Sequence, residues 1–88
     1  MAKRNKLEII RDILLVLRNN RGAMRPTPLL RRSNLSSSRF KEYFGDLKEK
    51  EFVKVEGDKN KLVVLEEKGQ RFLEKYQTII NFIDEFEL

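Results

Sequence analysis

Groups that can bind an anion are concentrated around the stretch LLRRSNLSSSRFKEYFGDL, which spans residues 29–47. Serine hydroxyls and the free backbone amides at a helix start can donate to phosphate oxygens, and arginine and lysine can bond phosphate or guanine. The pattern predicts a surface that binds a polyanion. Its candidate contacts are Arg25, Arg31, Arg32, Ser36, Ser37, Ser38, Arg39 and Lys41.

Each of these residue types also has a purely structural interpretation. Serine caps helices, charged side chains cover solvated faces, and Arg31 and Arg32 would compensate the dipole at a helix end. Gly45 would let a helix lie close to a duplex, or it is a helix defect that costs about 1 kcal/mol relative to alanine.

The sequence contains few of the residues and motifs that usually carry out catalysis. The 88 residues include neither cysteine nor histidine, so disulfides, thiolate nucleophiles and imidazole ligands or bases are excluded. The sequence has no phosphate-binding glycine loop and no recognisable pair of catalytic carboxylates. We therefore expect no enzyme activity, no metal site, no cofactor and no small-molecule substrate.

The net charge of +5 is unevenly distributed. Residues 1–44 hold 11 Lys and Arg against 3 Asp and Glu, whereas residues 45–88 hold 8 against 11. A basic excess confined to one half of a chain produces a positive field on one side of the molecule, which is typical of nucleic-acid binding. Lys3, Arg4 and Lys6 form either a flexible basic arm or a solvated terminus.

The first half of the chain predicts three helices. Apolar residues recur at spacings of three and four from Lys6 to Asn20, and the sequence NNRG ends that helix with residues that tolerate left-handed backbone. After a short extended piece, Thr27 is a candidate N-cap, with Pro28 at the first position of a second helix that ends near Ser33 and Asn34.

Ser36 can cap a third helix, whose two faces differ. The inward face holds Phe40, Tyr43, Phe44 and Leu47. The outward face holds Ser38, Lys41, Glu42, Gly45 and Glu49, with Arg39 at one flank. The acidic members argue for phosphate contacts concentrated in the N-terminal half of this helix.

The second half predicts a hairpin and a long helix. The strand-forming sequences FVKVE and KLVVL flank the turn GDKN, which places Lys59 and Lys61 at the hairpin tip. From Glu66 onward a helix of about 30 Å carries a heptad seam suited to pairing with a second chain. The predicted interface is Phe72, Tyr76, Ile79, Ile80, Ile83 and Phe86.

These elements predict a mostly α (α+β) fold, a winged helix-turn-helix with a short β-hairpin wing and a long C-terminal dimerisation helix. Residues 1–65 would form the DNA-binding part and residues 66–88 the dimerisation helix of one globular unit. The apolar run after the N-terminus is interrupted by charges, which excludes a signal peptide or a membrane span. We expect a cytoplasmic, nucleoid-associated protein.

The sequence resembles the small archaeal winged-helix DNA-binding proteins that pair through a long C-terminal helix into an antiparallel coiled coil. The resemblance rests on EIIRDIL, TPLLRRSNLS, Phe52–Val53 and EKGQRFLEKY, in this order. It implies DNA binding by the third helix and the wing. Glu51 stands where such sequences usually have glycine, Gly45 where a larger residue is common, and Glu66 where a Thr or Ser cap is usual.

The leading functional hypothesis is therefore a homodimer that binds double-stranded DNA as a transcriptional regulator or a chromatin-associated protein. The alternative is a winged-helix protein-interaction module that docks through Tyr43 and the hairpin without significant DNA binding. Sequence specificity, an effector ligand and the parallel or antiparallel direction of helix pairing are left open by the residues themselves.

Overall fold

The computed structural model describes residues 5–88, so Lys3 and Arg4 of the possible basic arm lie outside the described residues. Within this range the chain forms four helices and three short strands, which confirms the predicted fold class. In chain order they are α1 (Lys6–Asn19), β1 (Ala23–Met24), α2 (Pro26–Ser33), α3 (Ser37–Glu49), β2 (Val53–Glu56), β3 (Leu62–Leu65) and α4 (Glu67–Glu85).

The three strands form one antiparallel sheet in the order β1-β3-β2. Strands β2 and β3 are the predicted hairpin, with Val53 opposite Leu65 and Glu56 opposite Leu62. The short extended piece predicted after α1 is β1, which pairs Ala23 with Val64 and Met24 with Val63. The wing is therefore joined to the helical part of the domain through the strand that precedes α2.

The core lies between α1, the pair of helices α2 and α3, and the sheet. The apolar stripe of α1 is buried because residues three and four apart share one helix face. It meets one or two side chains from each of the other elements. The buried apolar residues are Ile9, Ile10, Ile13, Leu14, Leu17, Met24, Leu29, Phe40, Leu47, Val53, Val63 and Leu73.

Two helix ends show how non-glycine residues terminate helices here. After α3, Glu51 adopts φ 62°, the Phe52 amide donates to the Leu47 carbonyl, and the Glu51 amide donates to the Lys48 carbonyl. This pair of bonds is a Schellman motif, which usually has glycine at the left-handed position. After α1 the left-handed residues are Arg21 and Gly22. The sequence predicted left-handed backbone at the Asn and Gly residues of NNRG, which is confirmed for Gly22 and wrong for Asn20, whose φ is −108°.

The start of α2 differs from the prediction. The helix begins at Pro26 with Arg25 as its N-cap, so Thr27 lies inside the first turn and caps nothing. Both Pro26 and Pro28 are accommodated because the first turn of a helix has no intrahelical partner for its N–H groups. The helix ends at Asn34, whose φ of 56° turns the chain towards α3.

Helix α4 packs its first half against α1 and the sheet. Leu73 is buried, and a Cβ on Gly69 would collide with the Phe52 carbonyl oxygen. Phe72 lies 5.3 Å from Phe52 between ring centroids. None of the helices within residues 5–88 is long and apolar enough to cross a membrane.

Candidate nucleic-acid interface

The outward side of α3 is polar and free of the core, as the sequence predicted. Phe40 and Leu47 are buried and Tyr43 and Phe44 are half-buried, so the opposite side of the helix faces solvent. The exposed residues of α3 are Ser37, Ser38, Arg39, Lys41, Glu42, Gly45, Lys48 and Glu49. Helix α3 can therefore present an almost uninterrupted polar face to a partner.

The serines at the start of α3 have different roles. Ser36 is the N-cap, as predicted, because its Oγ accepts a hydrogen bond of 3.3 Å from the Arg39 amide. Ser38 Oγ lies 3.4 Å from Ser36 Oγ, and both Ser37 and Ser38 are exposed. Ser33 is the buried serine of the region and donates to the Leu29 carbonyl at 2.7 Å. All three serines from 36 to 38 are exposed, and Ser37 and Ser38 are the two whose hydroxyls do not cap the helix.

Two clefts that meet at the start of α2 contain further members of the predicted contact set. One cleft lies between α2 and α3 and includes Ser37 and Lys41 in its lining. The second lies between the start of α2 and the wing tip, and is lined in part by Arg25, Lys59 and Lys61. Pro26 and Thr27 line both clefts, so the two are neighbours.

Arg25 is held in place from the wing. Its Nη2 donates a hydrogen bond of 3.2 Å to the Oδ1 of Asn60, which lies in the hairpin turn between Lys59 and Lys61. The turn itself depends on Gly57, whose φ is 89° and where a Cβ would lie 2.7 Å from the Asn60 carbonyl oxygen. The structure therefore gathers Arg25, Lys59 and Lys61 around one amide side chain that sequence reasoning did not single out.

Arg31 and Arg32 lie in the last turn of α2 and are exposed. Their position is consistent both with a contact to a phosphate backbone and with compensation of the helix dipole. Arg39 and Lys41 make no ion pair with any of residues 5–88, so their charges are available to a ligand.

Two other lysines, Lys54 and Lys48, contact side chains of their own chain. Lys54 Nζ lies 3.0 Å from Glu56 Oε1 and 3.6 Å from Glu66 Oε1. The hydrogen bond that Lys54 donates to Glu56 and the negative charges of Glu56 and Glu66 raise the pKa of Lys54 above its ordinary value of 10.5. Lys48 Nζ lies over the ring of Phe44, 5.1 Å from its centroid, and so remains close to the exposed face of α3.

The predicted dimer residues divide into two groups. Phe72 and Tyr76 are half-buried by their own chain, because Phe72 contacts Phe52 and the Arg11 guanidinium lies 5.3 Å from the Tyr76 ring centroid. Further along α4, Ile79 and Phe86 are 56% and 58% exposed, while Ile80 and Ile83 are half-buried. Phe82 lies beside Phe86 at 4.9 Å and is equally exposed.

The part of the chain that the structure describes contains no cluster of three or more acidic, cysteine or histidine side chains that could hold a metal ion. The surface built by α3, the start of α2 and the wing tip instead combines hydroxyl groups and cations with the carboxylates of Glu42 and Glu49. Such a combination binds anionic oxygens and the edges of bases.

Comparison with known proteins agrees with this geometry. The winged helix-turn-helix family matches residues 3–84 of the chain. The structure is similar to the crystal structure of Sso10a-2, a DNA-binding protein from Sulfolobus solfataricus, with a TM-score of 0.77 and 19% sequence identity over 96% of this chain and 86% of that chain. None of the curated proteins matches the sequence significantly. The predicted resemblance is thus confirmed in its fold: the chain belongs to the winged helix-turn-helix family.

Proposed function

We propose that this protein is a homodimeric DNA-binding protein that places α3 in the major groove of a duplex and its wing tip on the neighbouring backbone. In helix-turn-helix proteins the second helix of the pair reads the major groove, and here that helix is α3. The proposal covers a transcriptional regulator and a chromatin-associated protein, since both would use the same surface.

The observation that carries the proposal is the adjacency of the cleft that contains Lys41 and the cleft that contains Arg25, Lys59 and Lys61. Lys41 and Ser37 line the cleft beside α3, Lys59 and Lys61 line the cleft at the wing tip, and the clefts share Pro26 and Thr27. Donors from α3 and from the wing therefore lie in adjacent clefts. A duplex presents phosphates on both sides of its major groove, so a surface with donors at two separate places can bind both backbones.

The fold comparison supports the same conclusion. The structure similar to this chain is that of a DNA-binding protein, and the similarity extends over almost the whole chain, including α4. The positive half of the sequence, residues 1–44, contains Arg25 and the first eight residues of α3, so the field of the molecule favours the approach of a polyanion to this side.

Fluorescence anisotropy of a labelled random-sequence duplex, titrated at several salt concentrations, tests the proposal. Each phosphate contact contributes about −0.9 to the slope of log affinity against log salt, so a slope of about −4 or steeper is expected. The paired substitutions Arg39→Glu and Lys41→Glu should abolish binding without changing the circular dichroism spectrum. Unchanged affinity would contradict the assigned face.

A matched control is available on α4. Arg71→Glu with Lys75→Glu makes the same change in net charge at two exposed positions outside both clefts. This variant should lose much less affinity than the α3 variant. Equal losses in the two variants would mean that net charge alone, and not the α3 surface, governs binding.

The homodimer rests on the second half of α4. Ile79 and Phe82 in α4 and Phe86 at its C-cap are each more than half exposed. Apolar side chains at Phe72, Ile79 and Phe86 recur every seven residues, which is the spacing that allows two helices to pair. We assign this surface to a second copy of the chain, with Phe72 and Tyr76 serving chiefly to fix α4 on its own domain.

Regulator and chromatin protein differ in specificity. A regulator should bind one selected site 10³-fold or more tighter than random duplex, within the typical range of about 10³ to 10⁷, whereas a coating protein should bind all duplexes within a narrow range. Selection from a random duplex library followed by competition titration distinguishes the two roles.

A second candidate function is favoured by the wing. Val55 and Leu62 are exposed apolar residues on the hairpin, a composition that suits protein docking better than contact with phosphate. If the chain is a protein-interaction module, duplex affinity at low salt should be negligible and Val55→Lys should disrupt a specific protein complex. Salt-dependent duplex binding would contradict this alternative.

A further inference from the structure

Two features of the exposed face of α3 are unexplained by phosphate binding. Gly45 lies in the middle of a 13-residue helix, where glycine costs about 1 kcal/mol relative to alanine. Glu42 is an exposed carboxylate on the face proposed to meet a polyanion. Both features would be disadvantageous if this face bound only the DNA backbone.

The geometry of the helix relates the two residues. At 3.6 residues per turn, Gly45 lies at the centre of the exposed face, with Lys41 about 40° to one side and Glu42 about 60° to the other. A Cβ built on Gly45 would meet no atom within 4 Å, so nothing inside the protein requires glycine there. The absence of a side chain instead leaves less bulk at the centre of the exposed face, where a duplex bound to α3 would come closest.

Glu42 is also free to contact a partner. It makes no ion pair with any of residues 5–88, although Arg39 and Lys41 are close in sequence. In the major groove, a carboxylate can accept a hydrogen bond from the exocyclic amino group of cytosine, whereas phosphate oxygens repel it. A carboxylate beside Gly45 is suited to reach the base edges between the two phosphate backbones.

We infer that Glu42 is a base-reading residue that accepts a hydrogen bond from the N4 amino group of a cytosine, and that Gly45 allows α3 to approach the groove closely enough for this contact. The inference rests on the proposed function, because it assumes that α3 enters the major groove. It adds that binding is sequence-dependent and that the preferred site contains a cytosine at a defined position.

Residues beside Glu42 and Gly45 can supply the phosphate contacts that such a base contact requires. Lys41 lines the cleft between α2 and α3, which adjoins the cleft at the wing tip. Ser37 and Ser38 begin α3, where their backbone amides have no partner within the helix. These groups can bind phosphates and orient the helix. Glu49, two turns after Glu42 on the same face, is the matched carboxylate, and the inference assigns it no base contact.

Selection from a random duplex library, followed by anisotropy titrations, tests the inference. For the wild type we expect a selected site with one position that strongly prefers cytosine, and replacement of that C·G pair by T·A should weaken binding about five- to tenfold. Glu42→Ala should bind both duplexes with similar affinity and so lose the cytosine preference, because alanine has no side-chain acceptor for the amino group. Glu49→Ala should retain it.

Three outcomes would overturn the inference, and they can be told apart. If Glu42→Ala tightens binding to every duplex equally, Glu42 is only a repulsive charge. If the wild type binds all duplexes without a cytosine preference, the base contact is absent although DNA binding stands. If the wild type binds no duplex, the proposed function itself fails. Circular dichroism of each variant ensures that only folded proteins are compared.

Discussion

Arg25 and Asn60 are 35 residues apart in the sequence and are joined by a hydrogen bond of 3.2 Å between the Arg25 Nη2 and the Asn60 Oδ1. The bond connects the residue that caps α2 to the tip of the wing. It therefore sets the position of Lys59 and Lys61 relative to the helix-turn-helix. In this structure the wing is attached at its tip as well as through the sheet at its base.

Removing this bond should affect binding more than folding. Because the bond is exposed, Asn60→Ala should change the free energy of unfolding by less than about 0.5 kcal/mol. It should weaken duplex affinity about threefold, since Arg25 and the wing lysines are no longer held together. Asn81→Ala, which removes the exposed hydrogen bond between Gln77 and Asn81 on α4, is the control and should leave affinity unchanged. Equal affinity for Asn60→Ala and wild type would show that the bond does not position the wing.

Gly45 and Gly69 should respond to alanine in opposite ways. A methyl group at Gly45 enters open space, so Gly45→Ala should raise the free energy of unfolding by about 1 kcal/mol and weaken duplex binding. A methyl group at Gly69 would meet the Phe52 carbonyl oxygen and lie 2.8 Å from Leu65 Cδ1. Gly69→Ala should therefore lower the free energy of unfolding by about 2 kcal/mol. Urea denaturation measures both, and a stabilised Gly69→Ala would contradict the packing described at the start of α4.

Glu51 offers a test of backbone strain. Its φ of 62° is unfavourable for a residue with a Cβ, so Glu51→Gly should raise the free energy of unfolding by about 1 kcal/mol. Glu51→Ala removes the same carboxylate but keeps the Cβ, and should give no comparable gain. If both variants stabilise the protein equally in thermal denaturation, the effect comes from charge and not from the left-handed backbone.

The proposed dimer is tested by charging the exposed part of α4. Ile79→Asp with Phe86→Asp should convert a dimer into a monomer in sedimentation equilibrium, because the two carboxylates would be buried without partners. The two side chains are more than half exposed in the single chain, so the monomer should remain folded.

Gln77→Asp with Asn81→Asp adds the same charge to exposed positions of α4 outside the heptad seam and should leave the dimer intact. A wild type that sediments as a monomer, or a dimer that survives the Ile79 and Phe86 substitutions, would contradict the proposed pairing.

Local patterns were sufficient to predict most elements of the fold. The apolar spacing of α1, the Ser36 cap and the strand-forming pair FVKVE and KLVVL are properties of short stretches, and each appears in the structure as expected. The start of α2 was predicted wrongly because Pro26 and Pro28 both suit a first helical turn. Arg25 occupies the N-cap position without a side-chain hydrogen bond, so its residue type gives no capping signal.

Contacts between residues that are far apart in the chain could not be predicted from local sequence patterns. The amide of Asn60 looks like an ordinary turn residue until the sheet brings it to Arg25. The heptad pattern likewise predicts that part of the seam faces a second chain but does not say which part. The packing of α4 on its own domain half-buries Phe72 and Tyr76 and leaves Ile79 and Phe86 exposed. Periodicity identifies an apolar face but does not say which neighbour covers it.

The close contact at the start of α4 has a consequence for the spacing of DNA sites. The Glu66 amide donates to the Phe52 carbonyl at 2.9 Å, and Gly69 lies directly against the same carbonyl, so no flexible linker separates α4 from the winged domain. In a dimer paired through α4, the two α3 helices would be held at a fixed distance and orientation. Such a dimer would tolerate little variation in half-site separation, and inserting half a helical turn of DNA, about 5 base pairs, between two half-sites would disengage one domain.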